Sequence, residues 1–223
     1  MRAQFFMDRE IAMKIGRRGR RTPAHPLKPM PWAEADVLAR VRRLNVNVLE
    51  AVTRSIAAEA AYDIEINRRH KDLWLVMDPA ACARIAGNPV LLMDLRFHDV
   101  EWWLWATNKA PRPIRARQAG GNWKIEGATT LSREILVEAC ITSRSSPLAA
   151  KLVFGLKPSV LEVIADLPSS EIDRIAISHH DELQLRWPDD AVFWRNLLQA
   201  AISGSDDDIA AVHMHSLQLL ESG

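Results

Sequence analysis

The side chains that could do chemistry in this chain are few and widely spaced. Cys82 and Cys140 lie far apart among apolar residues, which favours buried free thiols over a disulfide or a redox switch. His213 and His215 are two positions apart, so on a helix they would not share a face. No third ligand follows nearby, and the usual phosphate-loop, nucleophile-elbow and zinc-protease motifs are missing. The pattern predicts a protein without metal, cofactor or catalytic centre.

The most pronounced charged features of the sequence are two segments rich in lysine and arginine. Residues 1–43 carry 11 Lys and Arg against 4 Asp and Glu, and a Pro- and Gly-rich segment at 108–130 is also basic. Such segments can neutralise DNA phosphates and release counterions, although a solvated tail would have the same composition. The residues that we predict to contact DNA are Arg17, Arg18, Arg20, Arg21, Arg112, Arg115, Arg117 and Lys124.

Apolar residues recur three and four positions apart through most of the chain, which predicts an all-α fold. Proline or aspartate stands where several of the predicted helices begin, for example at Asp78-Pro79, Pro147 and Lys157-Pro158. The segments Val90–Phe97 and Glu182–Trp187 alternate apolar and polar residues, and we expect them to be irregular. The clearest apolar stripe, within residues 33–60, consists of Val37, Leu38, Val41, Leu44, Val48, Val52 and Ile56.

The chain also resembles itself. A run ending in Arg-Ile-Ala recurs after 90 positions, and each run is followed by a Leu-Arg-aromatic triplet, an aspartate and an aromatic cluster. A unit of this size buries little core alone, so we expect two copies packed like a dimer fused into one chain. The matched segments are Met77–Ala86 with Leu167–Ala176, Leu95–Phe97 with Leu185–Trp187, Asp99 with Asp189, and Leu44–Ala51 with Leu131–Ala139.

These features predict four regions. A basic flexible arm covers residues 1–31, a first helical repeat 32–107, a basic linker 108–130 and a second helical repeat 131–223.

The aromatic cluster of the first repeat has two interpretations. Core and inter-repeat packing is the ordinary role of such residues, and contact with a partner protein or with nucleic-acid bases is the alternative. Trp103 and Trp105 would point to different faces of a helix, so one of them could face a partner. The candidate partner-binding residues are Trp102, Trp103 and Trp105.

The second repeat and the tail resemble the FlhD subunit of the flagellar master regulator. The similar residues are Leu148–Leu156, Ile164–Leu167, Ile172, Ile175-Ala176, Leu183–Trp187 and Asp207–His213. The resemblance covers residues 131–223, and it extends more loosely over 44–106 through Arg96-Phe-His-Asp99.

The FlhD family is all-α and dimeric, and FlhD joins FlhC in a heteromeric activator of transcription. The resemblance therefore implies a DNA-associated activator subunit in the cytoplasm, with promoter DNA and an FlhC-like protein as partners, self-association being possible. It also implies a partner contact for His213, which matches a histidine in the family's last helix. FlhC itself carries a four-cysteine zinc site, which two cysteines cannot build. The alternative is a co-regulator or antiactivator that binds another protein and never contacts DNA.

Overall fold

Helices form nearly all of the regular structure, which confirms the all-α prediction. The computed structural model describes residues 32–58, 65–108 and 127–221. Within these ranges no helix is long and apolar enough to cross a bilayer. The α-helices are α1 (Trp32–Ala57), α2 (Glu65–Arg69), α3 (Lys71–Leu75), α4 (Pro79–Ala86), α5 (Val100–Ala106), α6 (Ala128–Ser145), α7 (Pro147–Phe154), α8 (Pro158–Ala165), α9 (Ser169–Ser178), α10 (Ala191–Ser203) and α11 (Asp206–Glu221).

The two long helices, α1 and α6, pack against each other, and each also supports a shorter helix. Helix α4 packs on α1, and α9 packs on α6. At their contact, Arg40 Nε lies 2.9 Å and Arg43 Nη2 lies 2.6 Å from the two carboxylate oxygens of Glu138. The apolar stripe of α1 faces the core as predicted, and residues of both predicted repeats contribute to one continuous core. Its buried members are Val37, Val41, Leu44, Val48, Val52 and Ile56.

A short antiparallel strand pair joins the two segments that we expected to be irregular. Strand β1 (Met93–Asp94) pairs with β2 (Gln184–Leu185), and a 3-10 turn at His180–Glu182 precedes β2. Met93 lies opposite Leu185, and Asp94 lies opposite Gln184. The prediction was therefore wrong for these four residues. Alternation over so short a run is weak evidence for a strand, and the partner lies far away in sequence.

Local features after the two strands recur with an offset of 91 positions. Arg96 and Trp187 both have a φ of 51°, and Asp99 and Asp190 both cap the helix that follows. The capping carboxylates accept hydrogen bonds from the backbone amides of Trp102 and Phe193. The structural counterpart of Asp99 is thus Asp190, one position beyond the Asp189 of the sequence comparison.

The two aromatic helices, α5 and α10, each pack on elements of the opposite predicted repeat. Helix α5 packs on α8, and Arg174 Nη2 of α9 donates a hydrogen bond to the carbonyl oxygen of Ala106. Helix α10 packs on α2, α3 and α4, and Arg84 Nε of α4 donates to the carbonyl oxygen of Ala201 over 2.7 Å. The arginine of each Arg-Ile-Ala run therefore binds near the carboxyl end of the aromatic helix in the other predicted repeat.

Asn45 interrupts the apolar face of α1 with a fully buried amide. Its Nδ2 lies 3.0 Å from the carbonyl oxygen of Val90, and its Oδ1 accepts a hydrogen bond from the backbone amide of Leu92 over 2.9 Å. These bonds satisfy backbone groups in the buried loop that leads into β1. A buried backbone group that loses its partner costs free energy, so this loop depends on Asn45.

We expect Asn45→Ala to lower the free energy of unfolding by about 2–4 kcal/mol, because two buried backbone groups lose their partner. Asn47→Ala is the matched control in the same helix. Asn47 is half-buried, and its Nδ2 donates to the Glu134 carboxylate over 2.8 Å, so the expected loss is under about 1 kcal/mol. Urea unfolding followed by circular dichroism measures both values. Equal losses of unfolding free energy in the two variants would show that the hydrogen bonds from Asn45 to the backbone stabilise the fold no more than the contact between Asn47 and Glu134.

Candidate functional site

The basic residues predicted to contact DNA lie outside the described residues. These are Arg17, Arg18, Arg20 and Arg21 in the arm, and Arg112, Arg115, Arg117 and Lys124 in the linker.

The tryptophans of α5 lie between the two predicted repeats. Trp103 is fully buried, stacks on Phe97 with ring centroids 6.3 Å apart, and donates its indole hydrogen bond to the carbonyl oxygen of Arg96. Trp102 is buried edge-on against Trp103. Trp105 is half-buried, and its ring centroid lies 5.1 Å from that of His179. Packing within the chain thus accounts for Trp102 and Trp103, and Trp105 is the member of this cluster with accessible surface.

His213 lies on α11, half-buried against the backbone at the end of α4. A Cβ atom added at Gly87 would stand 3.6 Å from its Cε1. Burial lowers the pKa of His213 because it disfavours the charged imidazolium, and a hydrogen bond with the backbone of Arg84 opposes this shift. Its Nε2 has no hydrogen-bond partner among the described residues. The ring therefore contributes to packing between α11 and the end of α4.

The lowered pKa of His213 predicts a pH dependence of stability. The unfolded chain binds a proton at the ordinary histidine pKa, about 6.5, before the folded chain does. The contribution of neutral His213 is therefore fully present above about pH 6.5 and is lost as the pH falls towards the folded pKa.

We expect the wild-type chain to lose more stability than His213→Gln between about pH 7.5 and pH 5, as measured by urea unfolding at each pH. The control is Met214→Gln, which alters an exposed, non-titrating side chain on the same helix. That variant should follow the wild-type profile. A His213→Gln profile parallel to the wild type would exclude this linkage.

Neither cysteine forms a disulfide, and burial raises the pKa of both thiols. Cys140 is buried and Cys82 is half-buried, and a raised pKa keeps each thiol protonated and unreactive. Within the described ranges no group of three His, Cys, Asp or Glu side chains could hold a metal ion.

Arg186, which directly follows β2, is a charged side chain buried in the fold. Its Nε donates to the carbonyl oxygen of Leu91 over 2.9 Å, and its Nη2 donates to those of Phe154 and Met93 over 2.8 and 3.2 Å. Burial lowers the pKa of this guanidinium, and the carboxylate of Asp94, 3.8 Å away, opposes that shift. Arg186 thereby links the end of β2 to β1, to the loop before β1 and to the carboxyl end of α7.

Gly155 ends α7 in a left-handed conformation with a φ of 62°. A Cβ atom there would stand 2.5 Å from Nη1 of Arg186 and 2.8 Å from Cδ2 of Leu220. Glycine is thus required both by the backbone conformation and by the close approach of the guanidinium. The carboxyl end of α7 is thereby held against Arg186 and α11.

A groove of about 580 Å³ opens beside Arg186 and Gly155. Its wall combines basic and apolar side chains from both predicted repeats. No sequence motif predicts this groove, because its residues come from four distant segments of the chain. The lining residues are Asp94, His98, Lys151, Gly155, Leu156, Lys157, Pro158, Gln184, Arg186, Trp187, Pro188, Leu219 and Leu220.

The described residues thus form a helical body with a mixed basic and apolar groove. The chain matches no protein-family model, no curated protein and no solved structure. The resemblance to FlhD accordingly stays a prediction.

Proposed function

We propose that this chain is a DNA-associated regulator of transcription whose helical body is a covalent pseudo-dimer of two FlhD-like units. The body would dock an FlhC-like partner, and the basic arm and linker would bind DNA phosphates. The observation that carries the proposal is the exchange of α5 and α10, because each aromatic helix packs on the opposite half. Intertwining of this kind is typical of obligate dimers, and the FlhD family is dimeric.

The strand pair supports the pseudo-dimer. With an offset of 91 positions, Met93 corresponds to Gln184 and Asp94 corresponds to Leu185. The observed pairs are Met93 with Leu185 and Asp94 with Gln184. Replacing each residue by its counterpart turns the first pair into the second, which is the relation that a twofold axis between the two strands would produce. Helices α4 and α9 begin 90 positions apart, so one extra residue before β2 accounts for the change of offset.

The exposed apolar side chains of α7 support a protein partner. Leu148 and Leu152 lie four residues apart on one face of this helix and are 64% and 48% exposed. Ile141 on the neighbouring α6 is 46% exposed. Large exposed apolar side chains close in sequence are typical of protein-binding surfaces.

The DNA part of the proposal is tested by a salt titration of the full chain on a labelled DNA duplex. Eight phosphate contacts would make the affinity fall by about 10³-fold or more between roughly 50 and 200 mM salt. Replacing Arg17, Arg18, Arg20 and Arg21 by glutamine should weaken binding and reduce the slope of this dependence. The equivalent replacement of Arg112, Arg115, Arg117 and Lys124 tests the linker in the same way.

The control is the double variant Arg133→Met/Arg195→Met, which removes two exposed positive charges from α6 and α10. Its salt dependence should match that of the wild type. An absence of DNA binding, with and without an FlhC-like partner, would contradict the DNA part and favour the alternative of a co-regulator that binds only protein.

A further inference from the structure

We propose that the groove beside Arg186 binds a small organic oxyanion, a carboxylate or phosphate attached to a compact apolar body. This inference does not depend on the proposed role in transcription. The groove volume of about 580 Å³ lies within the range of small-molecule sites.

The charges of the lining favour an anion. Lys151, Lys157 and Arg186 are cationic, and Asp94 is the acidic residue of the lining. The carboxylate of Asp94 is already engaged, since it accepts a hydrogen bond from the backbone amide of Phe97 and lies 3.6 Å from His98 Nδ1. The lining therefore keeps an excess of positive charge for a ligand.

The guanidinium of Arg186 leaves one nitrogen for a ligand. Its Nε and Nη2 are held by three backbone carbonyl oxygens, whereas Nη1 has no acceptor among the described residues. Gly155 lets Nη1 approach the groove, because any larger residue would collide with it. A donor that is buried, fixed by its other bonds and open on one side is pre-organised to bind an oxyanion.

The remaining walls favour an apolar body on the ligand. Leu156, Pro158, Trp187, Leu219 and Leu220 supply aliphatic and aromatic surface around the cationic centre. The amino-terminal end of α8, at Lys157 and Pro158, also borders the groove and adds the positive end of a helix dipole. An inorganic ion would interact with the cationic side chains but would make no contact with this apolar surface.

The site can be tested by isothermal titration calorimetry of the full chain with benzoate, phenyl phosphate and inorganic phosphate at low salt. We expect saturable binding of one molecule per chain for at least one aromatic anion, with inorganic phosphate weaker. The first two probes distinguish a carboxylate from a phosphate headgroup. In Lys151→Met/Lys157→Met, two exposed lysines are lost and the affinity should fall about tenfold or more.

The matched control is again Arg133→Met/Arg195→Met, which also removes two positive charges but none from the groove lining. It should bind the anion as the wild type does, and the melting temperatures show that both variants are folded. Three results would overturn the proposal: no saturable binding of either aromatic anion, equal affinity in the folded lysine variant, or an equal loss in both double variants.

Discussion

Replacing Arg186 with methionine should lower the free energy of unfolding by about 3–5 kcal/mol. Methionine keeps much of the side-chain volume, so the main loss is electrostatic. The carbonyl oxygens of Leu91, Met93 and Phe154 would lose their donor inside the core. These carbonyl groups belong to the backbone and cannot be removed with the arginine, so their desolvation is left uncompensated.

Arg195→Met is the control for this substitution. Arg195 is exposed on α10, only nine residues away, and the same chemical change there should alter stability by less than about 0.5 kcal/mol. Guanidinium chloride unfolding measures both variants. If Arg186→Met stayed within about 1 kcal/mol of the wild type, water would have to replace the guanidinium in the core.

Trp194→Ala should be comparably damaging, with an expected loss of about 3–5 kcal/mol. Trp194 is fully buried on α10, and its ring centroid lies 5.9 Å from that of Trp74 on α3. Its indole nitrogen also donates to the carbonyl oxygen of Arg186 over 2.9 Å. The substitution therefore leaves a large cavity between the halves and one unpaired buried carbonyl group.

Hydrogen exchange gives this prediction its specific signature. Because α10 packs on α2, α3 and α4, amides in those helices of the first half should lose protection along with α10 itself. Trp105→Ala is the control, since that ring is half-buried, and it should cost less and leave α3 and α4 protected. If protection were lost in α10 but kept in α2, α3 and α4, the importance of Trp194 for the packing between these helices would be contradicted.

Local features of this fold could be predicted from the sequence because their causes are local. The stripe from Val37 to Ile56 predicts both the helix and its buried face, and Asp78-Pro79 marks the start of α4, where Asp78 caps the amide of Ala81 over 2.6 Å. Such signals depend on residues within one or two turns of each other.

Long-range features could not be predicted, because no local property encodes them. An amphipathic helix shows which face is buried but not which other helix covers it, so the packing of α5 on α8 and of α10 on α4 cannot be seen in their periodicity. In the sequence, Asn45 is only a polar interruption of an apolar stripe. Its role is shown by the tertiary structure, in which its amide donates a hydrogen bond to the carbonyl group of Val90. The groove is equally hidden, since Gly155, Arg186 and Leu220 meet only through tertiary packing.

The position of Arg186 beside the strand pair bears on how the two proposed units of this chain can diverge in sequence from each other. With the offset of 91 positions, its counterpart in the first half is Leu95, which is buried and apolar. A dimer of identical subunits would have to place either two guanidinium groups or two leucines next to its axis. Two like charges in one core repel each other, and two leucines donate no hydrogen bond. In the pseudo-dimer that we propose, one chain can carry an arginine at one of the two related positions and a leucine at the other, so the two halves can specialise independently.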